Sequence, residues 1–162
     1  MPPRPQSCTD GLEPNVASRL KGELILNYPR GVRFLCTRCT ICCRDSPTRA
    51  RRILLLEGEA QRISMLTGQA ILSFAEPSQR EIRFPYEMKK ADGRCVFLRG
   101  ESCTIYEDRP LLCRYYPFYL TRRENIYTFN PTDECPGIGD GEELERQFFE
   151  SLLRLALEKL EQ

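Results

Sequence analysis

Nine cysteines and no histidine constrain this 162-residue chain more than any other feature. Four of the cysteines lie in one octapeptide, Cys36-Thr37-Arg38-Cys39-Thr40-Ile41-Cys42-Cys43. Gaps of two residues let successive thiolates turn inward from one loop and converge on a common centre. The lack of histidine removes both the commonest zinc co-ligand and the usual general base. The pattern therefore predicts a metal site built from thiolates.

Hydropathy and charge restrict the surroundings in which these thiols would work. No apolar run approaches the ~20 residues that span a bilayer, and Met1 to Ser7 lack the apolar stretch of a secretory signal. We therefore expect a cytoplasmic protein with no membrane partner, in a compartment where structural disulfides are uncommon. The formal net charge is +1, which provides no field to attract nucleic acid.

The sequence predicts a single α+β domain, small, irregular and stapled by metal, with short strands or hairpins, a central helix and a packed C-terminal helix. Residues 1–22 predict a flexible tail that carries Cys8, and residues 23–162 predict the metal-binding domain. The segment 24–28 fits either a strand or a turn of helix. The remaining predicted elements are a helix over 53–67, a strand over 81–84, a hairpin over 95–106, a short helix over 109–113 and a strand over 124–129.

The C-terminal helix is predicted over residues 141–161. Asp140 would cap it, with Glu143 completing a capping box. Apolar residues then recur near helical spacing from Leu144 to Leu160. In the central helix, Glu59 is expected on the polar face.

A second group of cysteines is dispersed along the chain: Cys95, Cys103, Cys113 and Cys135. Each lies at an edge or turn of a predicted element, where the backbone can bring distant side chains together. Together with the first group they could form two four-thiolate centres, or one centre with additional thiols. Arg109 and Arg114 flank Cys113 and are candidate cofactor-binding residues, because guanidinium groups donate hydrogen bonds to anionic sulfur. We interpret the basic run Arg49, Arg51 and Arg52 as solvated surface.

Sulfur ligands suit zinc or an iron-sulfur cluster and exclude calcium and magnesium. Zinc sites made of cysteine usually use two compact pairs, which the dispersed second group lacks. The run Cys36-x-x-Cys39-x-x-Cys42 with a remote Cys135-Pro136 is instead similar to the bacterial ferredoxin run, although the fourth cysteine of that run lies closer. We therefore favour a 4Fe-4S cluster, with zinc as the alternative.

These motifs, in this order, also resemble a known family. The chain resembles the YkgJ-type cysteine cluster family, a zinc- or iron-chelating domain, over about residues 34–139. The resemblance rests on Phe34-x-Cys36-x-x-Cys39-x-x-Cys42-Cys43, Gly93-x-Cys95-x-Phe97-Leu98, Cys103-x-Ile105-Tyr106-x-x-Arg109-Pro110-x-x-Cys113-Arg114-x-Tyr116-Pro117-Phe118 and Cys135-Pro136-Gly137-Ile138-Gly139. It implies that the metal ligands are Cys36, Cys39, Cys42, Cys43, Cys95, Cys103, Cys113 and Cys135.

The same cluster pattern is similar to that of flagellin lysine methylases, larger proteins with an iron-sulfur centre that use S-adenosylmethionine. This resemblance favours iron-sulfur over zinc as the bound metal. The first functional hypothesis is a redox or enzymatic iron-sulfur protein whose chemistry belongs to the cluster, with a methyl-transfer-like role as its most specific form. The alternatives are a zinc-binding structural or interaction module and a metal storage or delivery protein. The partner, a protein or a small molecule, is not identified by the sequence. Tyr106, Tyr115 and Tyr116 are candidate proton donors, with packing as their alternative role.

Overall fold

The computed structural model describes residues 24–79 and 82–160, and it confirms a small α+β fold of short strands and helices. The strands are β1 (Ile25–Asn27), β2 (Arg33–Phe34), β3 (Leu54–Leu55), β4 (Ala75–Pro77), β5 (Tyr86–Met88), β6 (Lys90–Ala91), β7 (Arg94–Cys95), β8 (Leu98–Arg99), β9 (Ser102–Cys103), β10 (Phe118–Arg123), β11 (Ile126–Pro131) and β12 (Ile138–Glu143). The helices are α1 (Glu57–Thr67), α2 (Ile71–Phe74), α3 (Leu111–Tyr115) and α4 (Arg146–Leu160), with 3-10 turns at Ile41–Cys43 and Tyr106–Asp108.

The middle of the chain builds the first of two hydrophobic cores. The sheet β3-β5-β4 is antiparallel throughout and packs with α1 and α2. Two hairpins, β6–β7 and β8–β9, extend from it, and positive φ angles at Asp92 and Gly93 make the first of their turns tight. The first core comprises Ile53, Leu55, Ala60, Ile63, Phe74, Ala75, Met88, Cys95, Phe97, Leu98 and Ile105.

The two ends of the described chain build the second core. Strand β1 lies parallel to β11, and β11 pairs antiparallel with β10. Phe149 of α4 is fully buried, with ring centroids 5.1 Å from Phe118 and 5.2 Å from Tyr28. The second core comprises Leu111, Tyr115, Phe118, Tyr127, Phe129, Phe149, Leu152, Leu153 and Ala156.

One buried carboxylate joins three helices. Glu59 of α1 is only 6% exposed, so its predicted place on a polar face was wrong. Its Oε1 accepts the Leu111 N–H of α3 at 2.7 Å and lies 3.4 Å from Lys159 Nζ of α4. Its Oε2 accepts the Leu56 N–H at 3.2 Å and so satisfies a free donor at the start of α1.

Both long helices begin later than predicted. The C-terminal helix begins at Arg146 rather than at 141, because residues 141–143 belong to β12, which pairs with β2. Asp140 therefore lies in a strand and not at a helix cap. The central helix begins at Glu57 rather than Ile53, because Leu54 and Leu55 pair with β5. It ends as expected, with Gly68 in the left-handed conformation.

Of the predictions for the shorter elements, most were confirmed and one was wrong. The segment 24–28 contains strand β1, the helix over 109–113 appears as α3, and the strand over 124–129 appears as β11. The predicted hairpin is present but shorter, since β9 ends at Cys103 and a 3-10 turn follows. The predicted strand over 81–84 was wrong in its described part, where residues 82–83 form a turn.

The described residues do not include the predicted tail, and they allow the prediction about membrane spans to be checked only in part. The predicted tail over 1–22, with Cys8, lies outside the described residues. Among the helices in the described part of the chain, none has the length and apolar character to cross a membrane.

Candidate metal centre

The first cysteine loop changes direction between its cysteines. Arg38 and Thr40 adopt φ angles of 56° and 63°, a left-handed region that residues other than glycine rarely enter. Directly after Thr40 the chain forms a 3-10 turn, closed by the Cys43 N–H donating to the Thr40 carbonyl at 2.8 Å. This reversal directs Cys42 and Cys43 to different neighbours from those of Cys36 and Cys39.

One group of thiols, called here the inner thiols, lies against the first core. A β-bridge pairs Arg44 with Arg94 antiparallel, which places Cys43 opposite Cys95 of β7. Cys43 packs against the first core, as do Cys103 of β9 and Cys113 of α3, and Cys95 is part of that core. Cys42 joins the group through a 3.5 Å contact between its Sγ and that of Cys43. The inner thiols are therefore Cys42, Cys43, Cys95, Cys103 and Cys113.

Burial sets the protonation of most inner thiols. It raises the pKa values of Cys95, Cys103 and Cys113, and the neighbouring thiols Cys95 and Cys42 raise that of Cys113 further. The pKa of Cys42 is instead lowered to about 7, first by its hydrogen bond with Cys43 and further by the charges of Arg51 and Arg109. Metal binding must therefore release protons from the neutral thiols, so metal affinity should rise with pH.

The second group, called here the outer thiols, consists of Cys36, Cys39 and Cys135. The β2–β12 pairing sets Phe34 opposite Ile138, and the Leu35 N–H donates to the Gly137 carbonyl at 3.0 Å. A Cβ on Gly137 would lie 2.2 Å from the Leu35 oxygen, so only glycine permits this close approach.

This close approach packs residues 34–35, which precede Cys36, against residues 137–138, which follow Cys135. Cys135 is buried, whereas Cys36 is exposed at the surface. Burial raises the pKa of Cys135, and Cys39 and Cys36 raise it further. The three outer thiols therefore share one neighbourhood.

Arg51 and Tyr116 lie between the two groups. Arg51 donates from Nε to the Ile41 carbonyl at 3.0 Å and contacts Glu134 Oε2 at 2.5 Å, and its guanidinium lies 5.2 Å from the centroid of the Tyr116 ring. The Arg51 side chain is only 14% exposed, which contradicts its interpretation as solvated surface. No signal in the basic run distinguishes it from its neighbours; only the contact with Glu134, which precedes Cys135, reveals its role.

The Tyr116 hydroxyl is buried and has no hydrogen-bond partner among residues 24–79 and 82–160. Burial is the main cause that raises the pKa of Tyr116, and the thiols of Cys135, Cys42 and Cys39 raise it further. Tyr116 therefore lies near members of both thiol groups.

The two predicted cofactor-binding arginines occupy different positions. Arg109 lies 3.9 Å from the Tyr106 ring centroid, and its charge lowers the pKa of Cys42 and opposes the raised pKa values of Cys103 and Cys113. Arg114 donates to the carbonyls of Arg109 and Glu107 and so supports the backbone that carries Arg109. Direct contact of Arg109 or Arg114 with a cofactor remains a prediction.

The donor chemistry fits a thiophilic metal, although the ligand polyhedron is not preformed. Within the described ranges no group of three Cys, Asp or Glu side chains is arranged to hold a metal ion. Side-chain rotation would thus accompany binding. The inner thiols supply sulfur from four separate elements, which suits tetrahedral zinc or an iron-sulfur cluster. An open cleft of about 650 Å³ is lined in part by Cys103, the one inner thiol among its lining residues.

The fold and the thiol groups define a cysteine-rich, metal-chelating domain, and comparison with known proteins agrees. Residues 35–136 match the family described as "CxxCxxCC: Putative zinc- or iron-chelating domain", and the chain belongs to this family. The family assignment made from the cysteine motifs is thereby confirmed.

A curated relative and a search of solved structures complete the comparison. The chain is 31% identical over 121 residues to the "Uncharacterized protein MJ0661" of Methanocaldococcus jannaschii, an alignment that covers 67% of this chain and 61% of that protein. The chain thus spans less than two thirds of that relative. No solved structure matches this chain.

Proposed function

We propose that the inner thiols hold a 4Fe-4S cluster and that the protein is a cytoplasmic redox or enzymatic iron-sulfur protein. The observation that carries the proposal is the meeting of Cys43, Cys95, Cys103 and Cys113 at one core from four separate elements. Four thiols brought together through long-range contacts match the four cysteine ligands of a cubane cluster. The adjacent Cys42 would be a fifth thiol at the edge of the site.

The charges around the inner thiols suit an anionic centre. A metal with four thiolates keeps net negative charge, which is costly to bury without compensation. Arg51 and Arg109 both act on Cys42 and remain positively charged at any relevant pH. These two guanidinium groups would stabilise the loaded site and raise its reduction potential.

The surroundings also suit an exchange of electrons or substrate with solvent. A bound cluster would supply one-electron chemistry. The cleft beside Cys103 would admit a small molecule or a partner surface, and Glu107 and Asp108 supply carboxylates along its wall. A methyl-transfer role is the most specific form of the proposal and rests on the resemblance to flagellin lysine methylases alone.

A zinc-binding structural or interaction module is the second candidate, and one observation favours it. Cys113 lies in α3, whose Leu111 belongs to the second core, while Cys113 itself packs on the first core. A metal bound there would join the two cores, which is the role of structural zinc.

Anaerobic purification followed by measurement of iron, acid-labile sulfide and zinc distinguishes the two candidates. The proposal predicts iron and sulfide in matching amounts and broad visible absorption that dithionite bleaches. The double variant Cys95→Ser/Cys113→Ser should lose this absorption, because three inner thiols remain. Stoichiometric zinc without sulfide in the anaerobic wild-type protein would refute the iron-sulfur proposal and favour the structural module.

A further inference from the structure

Two arginines lie side by side on the outer surface of the segments that carry two of the inner thiols. Arg44 and Arg94 form the antiparallel β-bridge that also sets Cys43 opposite Cys95. Because side chains alternate along extended backbone, the two thiols face the first core and the two guanidinium groups face solvent. We propose that Arg44 and Arg94 form the centre of a docking surface for an acidic protein that exchanges electrons with the metal centre of the inner thiols.

The pairing geometry brings these two arginines unusually close. The Asp45 N–H donates to the Gly93 carbonyl at 2.7 Å, so Arg44 and Arg94 occupy a non-hydrogen-bonded position, in which the two Cα atoms lie about 4.5 Å apart. Like charges that lie directly opposite each other on paired strands are destabilising. Stability of the fold therefore does not explain this pair, whereas a carboxylate placed between the two guanidinium groups would relieve their repulsion.

The backbone beneath the pair is held in place by the next residue, Asp45. Its carboxylate accepts hydrogen bonds from the Arg51 N–H and the Lys90 ammonium, each at 2.6 Å. These bonds engage the carboxylate that follows Arg44 in the chain, and they fix the segment that carries Arg44. The guanidinium groups thus project from a rigid base, which reduces the entropy cost of binding a partner.

A third guanidinium group extends this surface. Arg94 donates to the Gly100 carbonyl at 2.9 Å, in the turn of the β8–β9 hairpin, and the exposed Arg99 immediately precedes that glycine. The three exposed residues are called here the arginine face: Arg44, Arg94 and Arg99. Within residues 24–79 and 82–160, no carboxylate forms an ion pair with any of them.

This local charge excess favours an acidic protein over a nucleic acid. Arg49 and Arg51, by contrast, share the carboxylate of Glu134. The whole chain carries a formal net charge of only +1, which gives little long-range attraction for a polyanion. Asp92 and Glu101, in the turns of the two hairpins, also place negative charge beside the arginine face. A protein surface with a confined acidic patch fits this arrangement better than a continuous phosphate backbone does.

The position of the arginine face gives it a role in electron transfer. Cys43 immediately precedes Arg44 and Cys95 immediately follows Arg94, so only one layer of backbone separates a docked protein from these thiols. One electron would pass from the reduced partner to the inner site, which oxidises the partner by one electron and requires no bond or proton to be transferred. This role rests on the proposed function, whereas binding of the partner depends on the arginine face alone.

Binding of an acidic ferredoxin to the full-length protein as isolated tests the docking surface. The ferredoxin carries a fluorescent dye, and its anisotropy is followed at low ionic strength. Arg44→Gln/Arg94→Gln should weaken binding about tenfold, because two charges at the interface are lost. Arg30→Gln/Arg123→Gln is the matched control, since both arginines are exposed outside the arginine face and their replacement removes the same net charge. The control should change binding less than about twofold.

Three results would overturn the docking surface. The first is equal weakening in both double variants, which would mean that net charge alone controls binding, and the second is a wild-type protein that does not bind the ferredoxin. The third is tighter binding of a single-stranded oligonucleotide than of the ferredoxin, lost in Arg44→Gln/Arg94→Gln, which would assign the surface to nucleic acid. Failure of the proposed function is distinguishable, because zinc without sulfide would refute the electron exchange and leave the difference between the double variants intact.

Discussion

Replacing Glu59 by alanine removes the buried carboxylate that joins α1, α3 and α4. The carboxylate accepts the buried Leu111 N–H at 2.7 Å and the Leu56 N–H at 3.2 Å, and it lies 3.4 Å from Lys159 Nζ. The substitution removes the acceptor that the Leu111 N–H has in the described structure. The variant therefore tests whether this carboxylate holds the helix that carries Cys113.

The expected loss in the free energy of unfolding follows from these contacts. An orphaned buried N–H costs about 1–3 kcal/mol, and removing one partner of a buried ion pair costs about 3–5 kcal/mol. The Lys159 side chain is 24% exposed, so it can rehydrate, and the ion-pair cost is at the low end. Adding the low end of the ion-pair cost to the cost of one orphaned N–H gives an expected total of about 4–6 kcal/mol, a large share of the ~5–15 kcal/mol typical of a domain.

Urea unfolding of the reduced, metal-free proteins, followed by circular dichroism, measures this loss with metal binding excluded. Glu57→Ala is the matched control, because Glu57 is exposed on the same helix and bonds only to Gln61 among the partners identified for it. That control should change the free energy of unfolding by less than about 0.5 kcal/mol. A Glu59→Ala variant as stable as Glu57→Ala would refute the reasoning.

Three further predictions concern the thiol groups. Cys39→Ser should lose bound metal on elemental analysis whereas Cys8→Ser should keep it; equal losses would mean that Cys8 is also a ligand. Gly137→Ala should lower the melting temperature and weaken metal retention, because its Cβ would meet the Leu35 oxygen at 2.2 Å. Gly58→Ala, where a Cβ meets nothing within 4 Å, should stabilise by about 0.5–1 kcal/mol and is the control. Tyr116→Phe should leave metal content unchanged but lower the reduction potential of the loaded protein, since a hydroxyl donor near the inner thiol Cys42 is lost; an unchanged potential would contradict that role.

The helices show which part of the fold the sequence could predict. The apolar residues of α4 recur at helical spacing, and Phe149, Leu152, Leu153 and Ala156 are buried as that spacing requires. The predicted start of α4 was wrong because residues 140–143 also fit the sequence pattern of a helix-capping box. The pairing of this segment with β2 outweighs its local preference for a helix cap. The sequence of the segment itself contains no signal for pairing with Arg33 and Phe34, which are distant in the chain.

The site divides in the same way. The cysteine spacing and the family resemblance predicted metal chelation, because ligand type and motif order are properties of the sequence itself. The separation into inner and outer thiols depends on the left-handed turn at Thr40 and on the Arg44–Arg94 bridge. Both result from tertiary structure, as does the burial of Glu59, whose position on α1 resembles that of an exposed residue.

The arrangement of the two cores has a consequence for the order of folding. The first core forms from a continuous stretch, 53–105, whereas the second needs the two ends of the described chain to meet. Short-range contacts form with less loss of chain entropy. We therefore expect the first core to form early and the second to close around it. Cys43 and Cys113 lie close to the two points where the chain passes between the cores. A metal bound to both would therefore link the two ends of the segment that forms the first core, and this link would favour formation of the second core.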